Sequence, residues 1–180
     1  MPKGYRKCKC CKVEFKKARP LQFTCSVLCA VEWAKKIKVN KEKRDWKHKK
    51  NELKESIKTL TDYNKDLQTL VNKYVRLTKE KECISCKKDL NGLKFDAGHY
   101  RTVGSNPSLR FELLNIWPQC VKCNRDLHAN LIEYRINLVK KIGIDKVEWL
   151  ESEHTPKKYS KQELKELIIN YRQLIKALSK

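Results

Sequence analysis

An α+β fold of small, cross-linked modules with long flanking helices is what this sequence predicts, on three observations. Nine cysteines fall in two separate clusters, a long charged stretch without Gly, Pro or Cys lies between them, and an amphipathic segment closes the chain. Only 40% of the 180 residues are hydrophobic and 35% are charged, so each module buries little apolar surface and gains from metal staples.

Taken in order, residues 1–33 hold Cys8, Cys10, Cys11, Cys25 and Cys29 around a turn-like ARPLQ segment. Cys8-x-x-Cys11 with Cys25-x-x-x-Cys29 offers four thiolates to one tetrahedral Zn²⁺, leaving Cys10 as the spare. Residues 34–80 read as a helical connector, a dimerisation arm or an arm across DNA. Leu67, Leu70, Val71, Tyr74 and Leu77 form a helical stripe. A break is expected near Thr59 to Asp62, with Thr61 as an N-cap. Residues 81–150 carry the turn formers Gly92, Gly98, Gly104, Pro107 and Pro118, and a second four-thiolate set, Cys83, Cys86, Cys120 and Cys123. A closed four-Cys shell has no open coordination position, which makes this zinc structural too. In residues 151–180, Ser160 and Glu163 form a capping box for a helix with Leu164, Leu167, Ile168, Tyr171, Leu174, Ile175 and Leu178 on one face.

Lys and Arg total 42 against 21 Asp and Glu, a net charge of +21 that calls for a polyanionic partner, with nucleic acid the natural candidate. No apolar run approaches a membrane span and the N-terminus lacks an apolar signal core, so the chain is expected to stay in the cytosol, without a membrane partner. Thiols there remain reduced, which favours zinc over disulfides.

Between the two CxxC pairs of residues 81–150 lies Asp96-Ala97-Gly98-His99-Tyr100. Asn124 follows the last cysteine, and His128 comes one helical turn later. Hard oxygen donors on Asp96 and Asn124 suit a Mg²⁺- or Mn²⁺-type ion, and an imidazole at His99 has the right pKa to deprotonate a water. That combination fits hydrolysis of a phosphodiester. Asn124 could also simply N-cap a helix, and His128 could complete the metal set, touch phosphate or do neither. Arg125 and Arg135 are the phosphate-contact candidates, and Tyr100 and Tyr134 could pack on sugars or bases.

The order CxxC, Asp-x-x-His, CxxC-Asn resembles HNH (ββα-metal) nucleases and is similar to phage recombination endonuclease VII. The segments CISC, DAGHY, GSNPSLRFELLN, QCVKCN and NLIEYRINLVKKIG, over most of residues 5–150, resemble the phage NinG (Rap) recombination proteins more fully. The resemblance implies an HNH nuclease domain over 81–150. His99 would be its general base and Asn115 its middle asparagine, which orients the base, with Asp96 and Asn124 as divalent-metal ligands. It further implies action on branched DNA such as Holliday junctions. Cutting two symmetric strands calls for a homodimer, with residues 45–78 as the expected interface. Two departures from the commoner HNH pattern are Gly98 where an acid usually precedes the histidine, and Asn124 where a histidine is usual. The alternatives are a non-catalytic zinc-finger protein that binds nucleic acid by charge, and an HNH enzyme that cuts linear duplex.

Overall fold

A computed structural model describes residues 4–178, which divide into two compact units between Lys58 and Thr59. In the first unit, strands β1 (Tyr5–Lys7) and β2 (Glu14–Lys16) pair antiparallel, with Arg6 opposite Phe15. The turn between them carries Cys8 and Cys11 and is closed by two backbone bonds, Cys8 N–H to the Val13 carbonyl (2.8 Å) and Lys12 N–H to the Cys8 carbonyl (3.0 Å). Ser26 then caps helix α1 (Val27–Ser56) by accepting the Cys29 N–H, as N-cap serines do. None of the 30 residues of α1 is buried.

The second unit opens with α2 (Leu60–Thr78). Its N-cap is Thr59, two residues before the expected Thr61, because only Thr59 has an acid three places on. Thr59 Oγ1 accepts the Asp62 N–H (3.2 Å), and the Asp62 carboxylate accepts the Thr59 N–H (2.9 Å). Tyr63, Leu67, Val71 and Val75 recur every four residues and are buried. They form a core with Leu164 and Ile168 of α5 (Lys161–Ala177), and with Ala97 and Ile116 from the sheet. Residues 34–80 are therefore split: α1 lies in one unit, while α2 is core in the other. Of the expected 45–78 interface, the α2 part spends its apolar face inside, whereas Trp46, Leu53 and Ile57 stay exposed.

Strands β3 (Phe95–His99) and β4 (Ile116–Cys120) pair antiparallel, with Asp96 opposite Gln119 and His99 opposite Ile116. Period-2 alternation sends Ala97 and His99 to one face, and Asp96 and Gly98 to the other. A second core joins Ile84, Tyr100 and Leu109 with Tyr134 and Leu138 of α3 (Leu131–Ile142) and Val147 and Leu150 of α4 (Ile144–Glu151). Gly143, at φ +88°, turns the chain from α3 into α4, a conformation open to glycine. The Ser160–Glu163 capping box opens α5 as expected, but Leu174 and Leu178 of the anticipated face remain exposed. Among the described residues no helix is long and apolar enough to cross a membrane.

Candidate functional site

Both four-cysteine sets converge. In each, the four sulfurs lie within 4.8 Å of one another. A tetrahedral ion with metal–sulfur bonds of about 2.3 Å sets its sulfurs about 3.8 Å apart. The observed separations are 3.6 Å for Cys11–Cys25 and for Cys25–Cys29, and 3.8 Å for Cys86–Cys120. The donor sets and their spacing fit Zn²⁺, which both groups could hold.

The two CxxC turns also share a shape. Cys83 N–H donates to the Lys88 carbonyl and Lys87 N–H to the Cys83 carbonyl, both at 2.9 Å, repeating the pattern at Cys8, Lys12 and Val13. The residue after the second cysteine is left-handed in each, Lys12 at φ 66° and Lys87 at φ 60°. Backbone N–H groups of Cys25 and Cys120 point at the Cys8 and Cys83 sulfurs, each at 3.4 Å, as thiolate acceptors require. Cys10 stands outside the first set, its sulfur 3.6 Å from a Glu32 oxygen.

His99 ends β3 with its Nε2 3.0 Å from the Arg110 carbonyl. A carbonyl only accepts, so Nε2 carries the proton and Nδ1 keeps the lone pair. Burial, the largest cause, holds the imidazole below its ordinary pKa, so it is neutral at pH 7.

The loop that supplies this carbonyl is tied by Asn115, which is fully buried. Its Nδ2 donates to the carbonyls of Arg101 (3.0 Å) and Leu109 (3.1 Å), and its Oδ1 accepts the Arg101 N–H (2.7 Å). Leu109 directly precedes Arg110, so this one side chain fixes both ends of the segment that orients His99. From the opposite strand, Ile116 is gripped by Lys79. The Lys79 Nζ donates to the carbonyls of Leu113 (2.5 Å) and Ile116 (2.7 Å), beneath the Trp117 ring, and its burial lowers its pKa to about 7.

Asp96 and Asn124 meet across the other face of β3, Asn124 Nδ2 donating to Asp96 Oδ2 at 3.0 Å. An offset of three puts Asp96 opposite to His99, yet on the same face as Gly98, the residue directly before the histidine. Both carboxylate oxygens are also engaged by Arg125, through Nε at 2.8 Å and Nη2 at 3.0 Å. This guanidinium, followed by the Asn124 bond against opposing burial, holds the carboxyl below its ordinary pKa. A hard cation at this carboxylate would have to displace Arg125, and Asn124 would have to present its Oδ1 in place of its Nδ2.

His128 is not on a helix face shared with Asn124. The chain makes a single wide turn over Lys122–Asp126 and then runs left-handed through His128, Ala129 and Asn130, at φ 48°, 70° and 44°. That kink is pinned by Ser85 Oγ (3.0 Å) and Gln119 Nε2 (2.5 Å), both donating to the Ala129 carbonyl. His128 is exposed beyond it. Asn124 does not cap a helix either, since it sits inside the turn and α3 begins only at Leu131.

Arg135 is paired bidentately with Glu151 at 2.7 and 3.0 Å. Tyr134 is fully buried, donating to the Gly98 carbonyl at 3.0 Å, so it has no face for a base. Tyr100 is buried and donates to Glu151.

Gln119 is a site residue that the sequence reading missed. It is fully buried, and its Oε1 has no hydrogen-bond donor among the described residues because it is pressed against Gly98. A Cβ on Gly98 would overlap Gln119 Oε1 and lie 3.1 Å from Asn124 Oδ1. This is why a glycine precedes the histidine. Pairing of Gln119 with Asp96 in the strand register is the signal that could have found it. Gly98→Ala is expected to cost about 1–3 kcal/mol by overpacking and to push Asn124 off Asp96, read as a drop in thermal midpoint.

A family model described as the bacteriophage lambda NinG protein matches residues 1–180. Protein ninG of Escherichia phage 933W is 34% identical over 188 residues, covering 96% of this chain and 93% of that relative. Protein ninG of Salmonella phage P22 is 38% identical over 124 residues, 68% of this chain and 61% of the relative. That of Escherichia phage lambda is 37% identical over 124 residues, 68% and 60%. The matched regions thus span less than two thirds of the P22 and lambda relatives and nearly all of the 933W one. No solved structure matches. With a family match over its whole length and a relative aligned nearly end to end, the chain belongs to the NinG family.

Proposed function

We propose that this protein is a metal-dependent endonuclease of the HNH type that hydrolyses phosphodiesters in branched DNA, four-way junctions included. One observation carries the reading: His99 is a neutral imidazole whose Nε2 is committed to a carbonyl, leaving Nδ1 free to take a proton. In this scheme Nδ1 accepts the proton of the attacking water. Asn115 keeps the base aimed by fixing the Leu109–Arg110 backbone, as middle asparagines of HNH sites are expected to do. Asp96 and Asn124 offer a carboxylate and an amide oxygen to a Mg²⁺ or Mn²⁺ ion. When bound, such an ion takes up negative charge on the scissile phosphate and leaving oxygen. Arg125, whose side chain is exposed, would exchange Asp96 for a phosphate, and Arg135 would have to exchange Glu151 in the same way. Paired cuts across a symmetric junction would need two copies related by a two-fold axis.

The test compares a labelled four-way junction with its matched linear arm, in Mg²⁺ and in buffer without divalent ions. Chelators are avoided because they would also strip the thiolate-bound zinc. Mg²⁺-dependent paired nicks confined to the junction support the proposal. Equal cutting of the linear arm would assign the enzyme to duplex DNA, and tight binding without cutting in any divalent ion would leave a zinc-stabilised DNA-binding protein.

A further inference from the structure

Helix α1 exposes a long surface that the nuclease reading does not use. None of its 30 residues is buried, and from Lys36 onward one narrow face carries lysines without acids, while the other basic residues share the rest of the helix with the acids. At roughly 100° per residue, Lys36, Lys43, Lys47, Lys50 and Lys54 fall within a sector of roughly 60°. All five are exposed, and none takes part in an ion pair among the described residues. The acids Glu42, Asp45, Glu52 and Glu55 lie on the opposite half of the helix. Glu32, at the start of the lysine face, is turned to Cys10. Trp46, 64% exposed, borders the stripe, with the Lys50 ammonium 4.8 Å from its ring centroid.

This sorting is unfavourable for a helix standing alone. Interleaved Glu and Lys at i,i+4 stabilise an isolated helix, whereas Lys43–Lys47 and Lys50–Lys54 are like-charge pairs at that spacing, and Lys47–Lys50 is one at i,i+3. A polyanion removes the repulsion. From Lys36 to Lys54 the stripe runs about 27 Å at 1.5 Å per residue, about three quarters of one turn of duplex DNA. A second copy of the same face would bring lysine against lysine. An anionic membrane would find few apolar residues to bury beside the stripe, namely Val39, Trp46 and Leu53.

We infer that the lysine face of α1 is a docking surface for the phosphate backbone of double-stranded DNA, carried on a different unit of the chain from the candidate active site. The inference rests on the nucleic-acid part of the proposed function but not on catalysis. Each phosphate neutralised adds about 0.9 to the slope of log affinity against log salt concentration.

Two full-length variants of equal charge separate the face from the net charge. One carries Lys43→Gln, Lys47→Gln, Lys50→Gln and Lys54→Gln. The other carries Lys38→Gln, Lys41→Gln, Arg44→Gln and Lys49→Gln, off the stripe. Glutamine is about as good a helix former as lysine and none of these positions is buried, so circular dichroism should be unchanged for both.

Binding is measured by titrating intact labelled duplex across a salt series without divalent ions, so that no strand is cut. The stripe variant is expected to lose about 3 to 4 from the salt slope, and the control variant less than 1. Equal losses in both, no loss in either, or stripe-dependent binding to phosphatidylserine vesicles as tight as to DNA would overturn the inference. A wild type that binds duplex through the stripe but never cuts would end the nuclease reading alone.

Discussion

Replacing Cys123 by Ser is expected to abolish the cooperative unfolding transition of the unit spanning 59–180 and to lower bound zinc by one ion per chain. Cys123 is buried beside Cys83 and Leu90, in a cluster completed by Phe95 and Cys120. This small core also anchors the start of β3 and the end of β4, since Phe95 is the register partner of Cys120. A structural zinc site contributes on the order of 10–16 kcal/mol of apparent binding energy. A domain of this size is stable by only about 5–15 kcal/mol, so losing the ion removes most of the margin. The turn carrying Asn124 and Arg125 follows directly from Cys123, so Asp96 would lose its partners even where some structure survives. Cys10→Ser is the control. Its sulfur lies outside both sets, and metal content and melting should be unchanged. Metal analysis and calorimetry read both variants, and an unaltered Cys123→Ser protein would contradict the zinc assignment.

His99→Ala is expected to lower DNA cleavage by about 10²–10⁴-fold, the usual worth of a positioned base. Binding should survive, because the substitution removes no charge and the imidazole's hydrogen bond among the described residues is to a backbone carbonyl. The pH dependence follows from burial. With its folded pKa held by burial below the unfolded value of about 6.5, His99 protonates at more acid pH than a free imidazole, so the acid limb of the cleavage profile should lie below that value. For stability the sign is the same. The unfolded chain binds the proton more readily, so the contribution is complete above about pH 6.5 and is lost as pH falls through the folded pKa. The His99→Ala protein should lack that acid component. A cleavage profile whose acid limb lies above pH 6.5 would contradict the burial argument.

The cysteine sets were legible because ligand spacing and residue type are local signals, whereas Asn115 was pointed to only by the family resemblance. The role of α2 was not legible. Its stripe at Leu67, Val71 and Val75 was visible, but its partners Leu164 and Ile168 lie some ninety residues away, and nothing local separates a connector from a core helix. Thr59 was missed for Thr61 because both are good caps, and the Asp62 bond that decides between them is a matter of one residue's register.

The break at His128–Asn130 was invisible for a different reason. No Gly or Pro marks it, and although His128 and Asn130 are of types enriched in left-handed backbone, Ala129 between them is not. Side chains at Ser85 and Gln119, distant in sequence, hold it in place. The same long-range packing explains Gly98. What looked like a missing acid is a strand position filled by the Gln119 amide.

The most direct measurement is single-turnover cutting of a four-way junction in Mg²⁺ at pH 7.5 by the wild type and His99→Ala, with binding read on the same samples. The account predicts metal-dependent nicks by the wild type, a loss of about 10²-fold or more in the variant, and equal junction affinity. Equal cutting by both proteins, or none by the wild type in any divalent ion, would contradict it.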